Sequence, residues 1–131
     1  MGKIQSFKQE FSFDERVEES KHIISKYPDR VPVILERYSR TDLPEMEKKK
    51  RITSNPCFLV SSRFLVPRDM SVGQFIHILS SRLHLTPGKA LFVFVKNTLP
   101  QTASRMDSIY ETYKEDDGFL YMCYSSEKTF G

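Results

Sequence analysis

Residues 64–83 read FLVPRDMSVGQFIHILSSRL and divide into a strand, a stop and a helix. Phe64-Leu65-Val66 is a short β-prone run closed by Pro67, a residue that cannot donate to a strand ladder. Ser71 with Gln74 three residues on has the spacing of a capping box, so a helix starts there. Val72, Phe75, Ile76, Leu79 and Leu83 then recur at i, i+3, i+4, i+7 and i+11, which is one buried helical face.

Upstream, Val31, Val33, Ile34 and Leu35 make Arg30 to Tyr38 a second strand, with Pro32 suggesting an edge or early strand position. Ser12 and Glu15 form another capping-box pair. Phe13, Val17, Ile23, Ile24 and Tyr27 follow at near-helical intervals until Pro28 stops the helix, and a shorter helical turn around Ser6 to Glu10 precedes it. Ser39 to Pro44 reads as loop. Glu45 to Arg51 is a charge run ending in Lys48-Lys49-Lys50-Arg51, equally readable as a solvated face or a binding surface.

Downstream, Pro87-Gly88 breaks the central helix, and Leu91 to Val95 is a continuous apolar strand of the kind buried on both faces. Thr102 to Tyr113 reads as loop and short helix, Asp116-Asp117-Gly118 as a turn, and Phe119 to Tyr124 as the last strand. Residues 125–131 form a polar, flexible tail. Two strands, a crossing helix and two more strands give an α+β fold, a β-grasp with a four-stranded mixed sheet. One sheet face covers the helix; the other is free for two N-terminal helices within residues 1–28.

The chain of 131 residues is the size of a single domain, 1–131. With 39% hydrophobic and 28% charged residues it is globular, and a net charge of +3 demands no nucleic acid. Cys57 and Cys123 are neither a disulfide framework nor a metal set, and Cys123 reads as a buried, inert thiol in the last strand. His22, His77 and His84 join no cysteine or carboxylate grouping, so the expectation is no metal, no cofactor and no catalytic activity. The apolar run Ala90 to Val95 is too short to span a membrane, and the chain reads as soluble and intracellular. Met1-Gly2-Lys3-Ile4-Gln5-Ser6 fits the short N-myristoylation pattern, a loose signal.

Several blocks together carry a family resemblance. Lys26-Tyr27-Pro28-Asp29-Arg30-Val31-Pro32-Val33-Ile34, Phe64 through Phe75, Ala90 through Val95 with Asn97, and Asp117-Gly118-Phe119-Leu120-Tyr121 closely resemble the autophagy-related protein eight family of ubiquitin-like modifiers, which includes GABARAP. The ending Ser125 to Gly131 is similar to the plant branch without a C-terminal extension. The resemblance implies a modifier whose terminal glycine, here Gly131, is adenylated by an activating enzyme, passed to conjugating enzymes and joined to phosphatidylethanolamine. It implies autophagosome formation, a cytoplasmic pool, a lipidated pool on autophagosome membrane and vacuole, and a deconjugating cysteine protease. An end at Gly131 is expected to need no priming cleavage. The alternative is a noncovalent trafficking or microtubule-associated adaptor of the same fold, with tubulin as partner and the cytoskeleton as location.

The resemblance also implies a groove for aromatic-x-x-aliphatic receptor peptides that add a strand beside the second strand. Its aromatic pocket would use Glu19, Ile23, Pro32, Leu65 and Phe119, and Lys48 and Lys50 or Arg63 would meet acidic flanking residues. Its aliphatic pocket would use Phe64, Val66, Pro67, Met70, Phe75 and Ile78. One departure stands out. Arg51 to Ser62 separates the basic cluster from Phe64 as an inserted surface loop, and it carries Phe58-Leu59-Val60, a copy of Phe64-Leu65-Val66 six residues earlier. An even spacing keeps the same strand faces, so the copy competes for the edge position, though Pro67 to Met70 favour Phe64 to Val66. The insertion is expected to spare the fold and to threaten peptide binding by covering the groove.

Overall fold

The computed structural model describes residues 6–38, 63–85 and 88–126. Helix α1 spans Phe7–Glu10 and α2 spans Phe13–Lys26. Each opens on a full capping box: the Ser6 or Ser12 hydroxyl accepts from the N–H three residues on, and the Gln9 or Glu15 side chain accepts from the serine's own N–H. Strand β1 is Arg30–Arg37, β2 is Arg63–Pro67, α3 is Val72–Arg82, β3 is Phe92–Phe94, α4 is Met106–Tyr113 and β4 is Leu120–Ser125. The sheet order is β2-β1-β4-β3, with β1 and β4 parallel and both outer pairs antiparallel. This is the expected mixed β-grasp sheet crossed by one helix.

Alternation along β1 divides the core. Val31, Val33 and Leu35 join the cluster containing Phe75, Leu79 and Leu83 of α3, whereas Ile34 joins Phe7 of α1, Ile23 of α2 and Phe119. The expected edge position for Pro32 is corrected: β1 lies inside the sheet. Its early position holds, because pairing with β4 begins only at Val33, one residue beyond the proline that lacks an N–H. Cys123 is half-buried rather than buried, and burial raises its thiol pKa.

The starts of α3 and α4 satisfy each other. Val72 and Gly73 N–H donate to the carbonyls of Ser104 and Thr102, and Gln74 N–H to the Ser71 hydroxyl. In return Met106 and Asp107 N–H donate to the carbonyls of Met70 and Arg68. Arg105 precedes α4 without a side-chain cap because the 68–70 turn supplies the acceptors.

Candidate peptide site at the edge strand

Strand β2 ends the sheet order, and among the described residues its only strand neighbour is β1. Arg63 and Leu65 stand opposite Ile34 and Pro32, so their side chains share the face toward α1 and α2. Phe64 and Val66 stand opposite Val33 and Val31, on the α3 face.

The residues expected in the aromatic pocket gather on the first face. Ile23 and Phe119 are buried in one cluster, with Leu65 packed against it, and Pro32 is buried beside Leu65 in the ladder. Arg63 Nε lies 2.9 Å from Glu19 Oε2. That distance makes an ion pair, but the N–H is not aligned on the carboxylate, and Nε is a buried donor without a hydrogen bond. Burial raises the Glu19 carboxyl against the pull of Arg63, and burial lowers the Arg63 guanidinium against the pull of Glu19.

The aliphatic set lies on the other face. Val66 and Phe75 are core residues, Phe64 meets Phe75 edge-on at 5.8 Å between ring centroids, and Met70 packs against the same cluster. Arg82 covers the Phe64 ring at 5.5 Å. Pro67 is half-buried, and Ile78 is outward at 37% exposure. Ile78 and Met70 border a shallow groove with Gln74, His77, Thr102 and Ala103. Gly131, Lys48, Lys50, Cys57, Met1 to Gln5, the insertion Arg51 to Ser62 and the tail from Glu127 lie outside the described residues.

The structure adds residues that the sequence reading did not single out. Phe7 of α1 belongs to the aromatic-side cluster, and Phe11, the residue that ends α1, packs against it. Asp117, 2% exposed, accepts from Arg16 Nη1 at 2.6 Å, from the Tyr121 hydroxyl and from Phe119 N–H at 2.9 Å. Ser20 of α2 donates to the Asp117 carbonyl. This network pins α2 and the turn before β4, and so positions Phe119. The signal for α1 was the Ser6–Gln9 spacing with an i, i+4 aromatic pair. A long-range network such as that of Asp117 leaves no local signal. Among the described residues no three His, Cys, Asp or Glu side chains could hold a metal, and no helix is long and apolar enough to cross a membrane.

A four-stranded β-grasp sheet crossed by one helix and carrying two N-terminal helices defines a protein of ubiquitin-like fold. The family described as "Autophagy protein Atg8 ubiquitin like" matches residues 15–131. Autophagy-related protein 8i of Arabidopsis thaliana is 66% identical over 128 residues, covering 98% of this chain and 100% of that protein. Autophagy-related protein 8h of the same organism is 65% identical over 128 residues, covering 98% and 97%. The solved Plasmodium falciparum Atg8 in complex with a Plasmodium falciparum Atg3 peptide superposes with a TM-score of 0.80 at 38% identity, covering 97% of this chain and 100% of that one. The chain belongs to the Atg8 family of autophagy ubiquitin-like proteins.

Proposed function

We propose that this chain is a lipid-conjugated autophagy modifier that recruits receptors by adding an aromatic-x-x-aliphatic peptide to β2. The carrying observation is the division of the two residue sets between the faces of one edge strand. Side chains three apart on a strand point to opposite faces, as a peptide with anchors at i and i+3 requires. Main-chain bonds to β2 supply affinity, and the two faces supply selection. The Plasmodium relative's Atg3 peptide supports peptide capture as a family habit.

In this reading Gly131 is the conjugated residue. Activating-like and conjugating-like enzymes transfer it to phosphatidylethanolamine, and a cysteine protease reverses the link. The protein moves between cytoplasm and autophagosome membrane, then vacuole. A terminal glycine has no side chain to obstruct an enzyme channel.

Calorimetry with an acidic-flanked Trp-x-x-Leu peptide tests the site. Leu65→Asp places an unpaired charge where the aromatic anchor docks and should weaken binding at least tenfold, while Ile78→Asp should do the same for the aliphatic anchor. Equal binding by both variants and the parent would overturn the site assignment.

A further inference from the structure

Arg63 is held on three sides. Its guanidinium lies 5.0 Å from the Phe7 ring and 5.2 Å from the Phe11 ring, with Glu19 against Nε. Phe7 also meets Phe119 edge-on at 5.2 Å and shares the cluster of Ile23, Ile34 and Phe119, against which Leu65 packs. Three of these residues, Ile23, Leu65 and Phe119, are those assigned above to a peptide's aromatic anchor. An aromatic ring of the chain itself therefore already sits on the surface that a ligand's ring would use.

We propose that α1 is a built-in competitor for the aromatic pocket: Phe7 stands in for the ligand's ring, Phe11 and Glu19 fold Arg63 over it, and a receptor peptide binds by displacing α1. The inference rests on the peptide-binding reading of β2.

Three observations make α1 displaceable. A helix of four residues has no stability of its own and stays only where side chains fasten it. Besides the packing of Phe7, its fastenings are few: Phe7 N–H donates to Glu36 Oε2 at 2.9 Å, Arg16 Nε donates to the Phe11 carbonyl at 3.2 Å, Lys8 pairs with Glu115, and Lys8 lies 4.5 Å from the Tyr121 ring centre. The third is the misaligned Arg63–Glu19 pair, which leaves a buried donor unsatisfied. A peptide carboxylate offering Nε–H an aligned acceptor would satisfy it, since charge-assisted bonds are among the stronger hydrogen bonds. Burial disfavours both charges of the resident pair, so the Arg63–Glu19 contact is a weak latch. An acidic residue beside the peptide's aromatic anchor is then the element that opens the lid.

The full-length protein, Phe11→Ala and Glu36→Ala are compared. Glu36→Ala unhooks α1 from outside the aromatic cluster, so it controls for damage to the pocket. Affinity for an acidic-flanked Trp-x-x-Leu peptide is measured by calorimetry, and reactivity of Arg63 toward phenylglyoxal by mass spectrometry. A closed state holding about nine molecules in ten weakens apparent affinity roughly tenfold. Both variants should therefore bind up to roughly tenfold tighter, with Arg63 modified faster. Unchanged or weaker affinity in both variants, with peptide still bound by the parent, overturns the lid and leaves the peptide site standing. No binding by any of the three overturns the peptide-binding reading, and the lid falls with it.

Discussion

Tyr121 shows how one residue ties the N-terminal helices to the sheet. Its hydroxyl donates to Asp117, which also receives Arg16 from α2. Burial first, and that bond second, raise the Tyr121 pKa well above the usual phenol value. A folded pKa above the unfolded one means that the native state holds the proton more tightly. The resulting stability is complete below the unfolded phenol pKa of about 10 and is lost as pH rises through the folded value. Tyr121→Phe should cost about 1–2 kcal/mol at neutral pH, since a donor to a buried carboxylate is lost. It should also flatten the alkaline loss of stability. Urea unfolding followed between neutral pH and about pH 11 would reveal both effects, and an identical pH dependence in parent and variant would contradict the assignment.

At the scale of elements, the seat of α2 depends on Gly118. Its φ of +92° suits glycine, and a Cβ there would lie 2.3 Å from Ser20 Oγ. Ser20 is itself small and buried, and its hydroxyl donates to the Asp117 carbonyl. The helix thus approaches the turn backbone with no room for a methyl group. Gly118→Ala should destabilise by about 2–3 kcal/mol, from left-handed strain plus displacement of α2. Thermal unfolding gives the magnitude, and hydrogen exchange of α2 amides gives the location. Protection lost in α2 before α3 is the expected pattern, because α3 belongs to a separate cluster on the other face. Ser12 and Ser71 were legible as caps because a capping box is contained within four residues. Pro32 left an edge and an early strand position both open because the rule concerns a missing N–H, and which of them applies depends on where a distant strand begins to pair.

At the scale of the whole molecule, the proposed conjugation through Gly131 is tested directly. A reconstituted reaction with activating-like and conjugating-like enzymes, ATP and phosphatidylethanolamine liposomes should add one lipid to the chain, read by intact mass. Gly131→Ala should reduce the adduct at least tenfold, because a methyl group on the α-carbon beside the reacting carboxyl carbon narrows its fit to the enzyme channel. A variant lacking Arg51 to Ser62 should react at a similar rate if the insertion spares the enzyme-binding surfaces. Adduct formation only in that variant would show instead that the insertion disables the modifier.

The sequence by itself determined the order of strands and helices, the starts of α2 and α3, and the family. Each of those rests on short-range patterning: alternation, helical spacing, caps, or contiguous blocks such as Phe64 to Phe75. Only the tertiary structure decided which faces those elements share. It set Arg63 between the rings of Phe7 and Phe11, and joined Arg16, Ser20, Asp117 and Tyr121 across roughly a hundred residues of chain. Such contacts follow from strand register and helix docking. Their partners are distant in sequence, so no local pattern records the pairing.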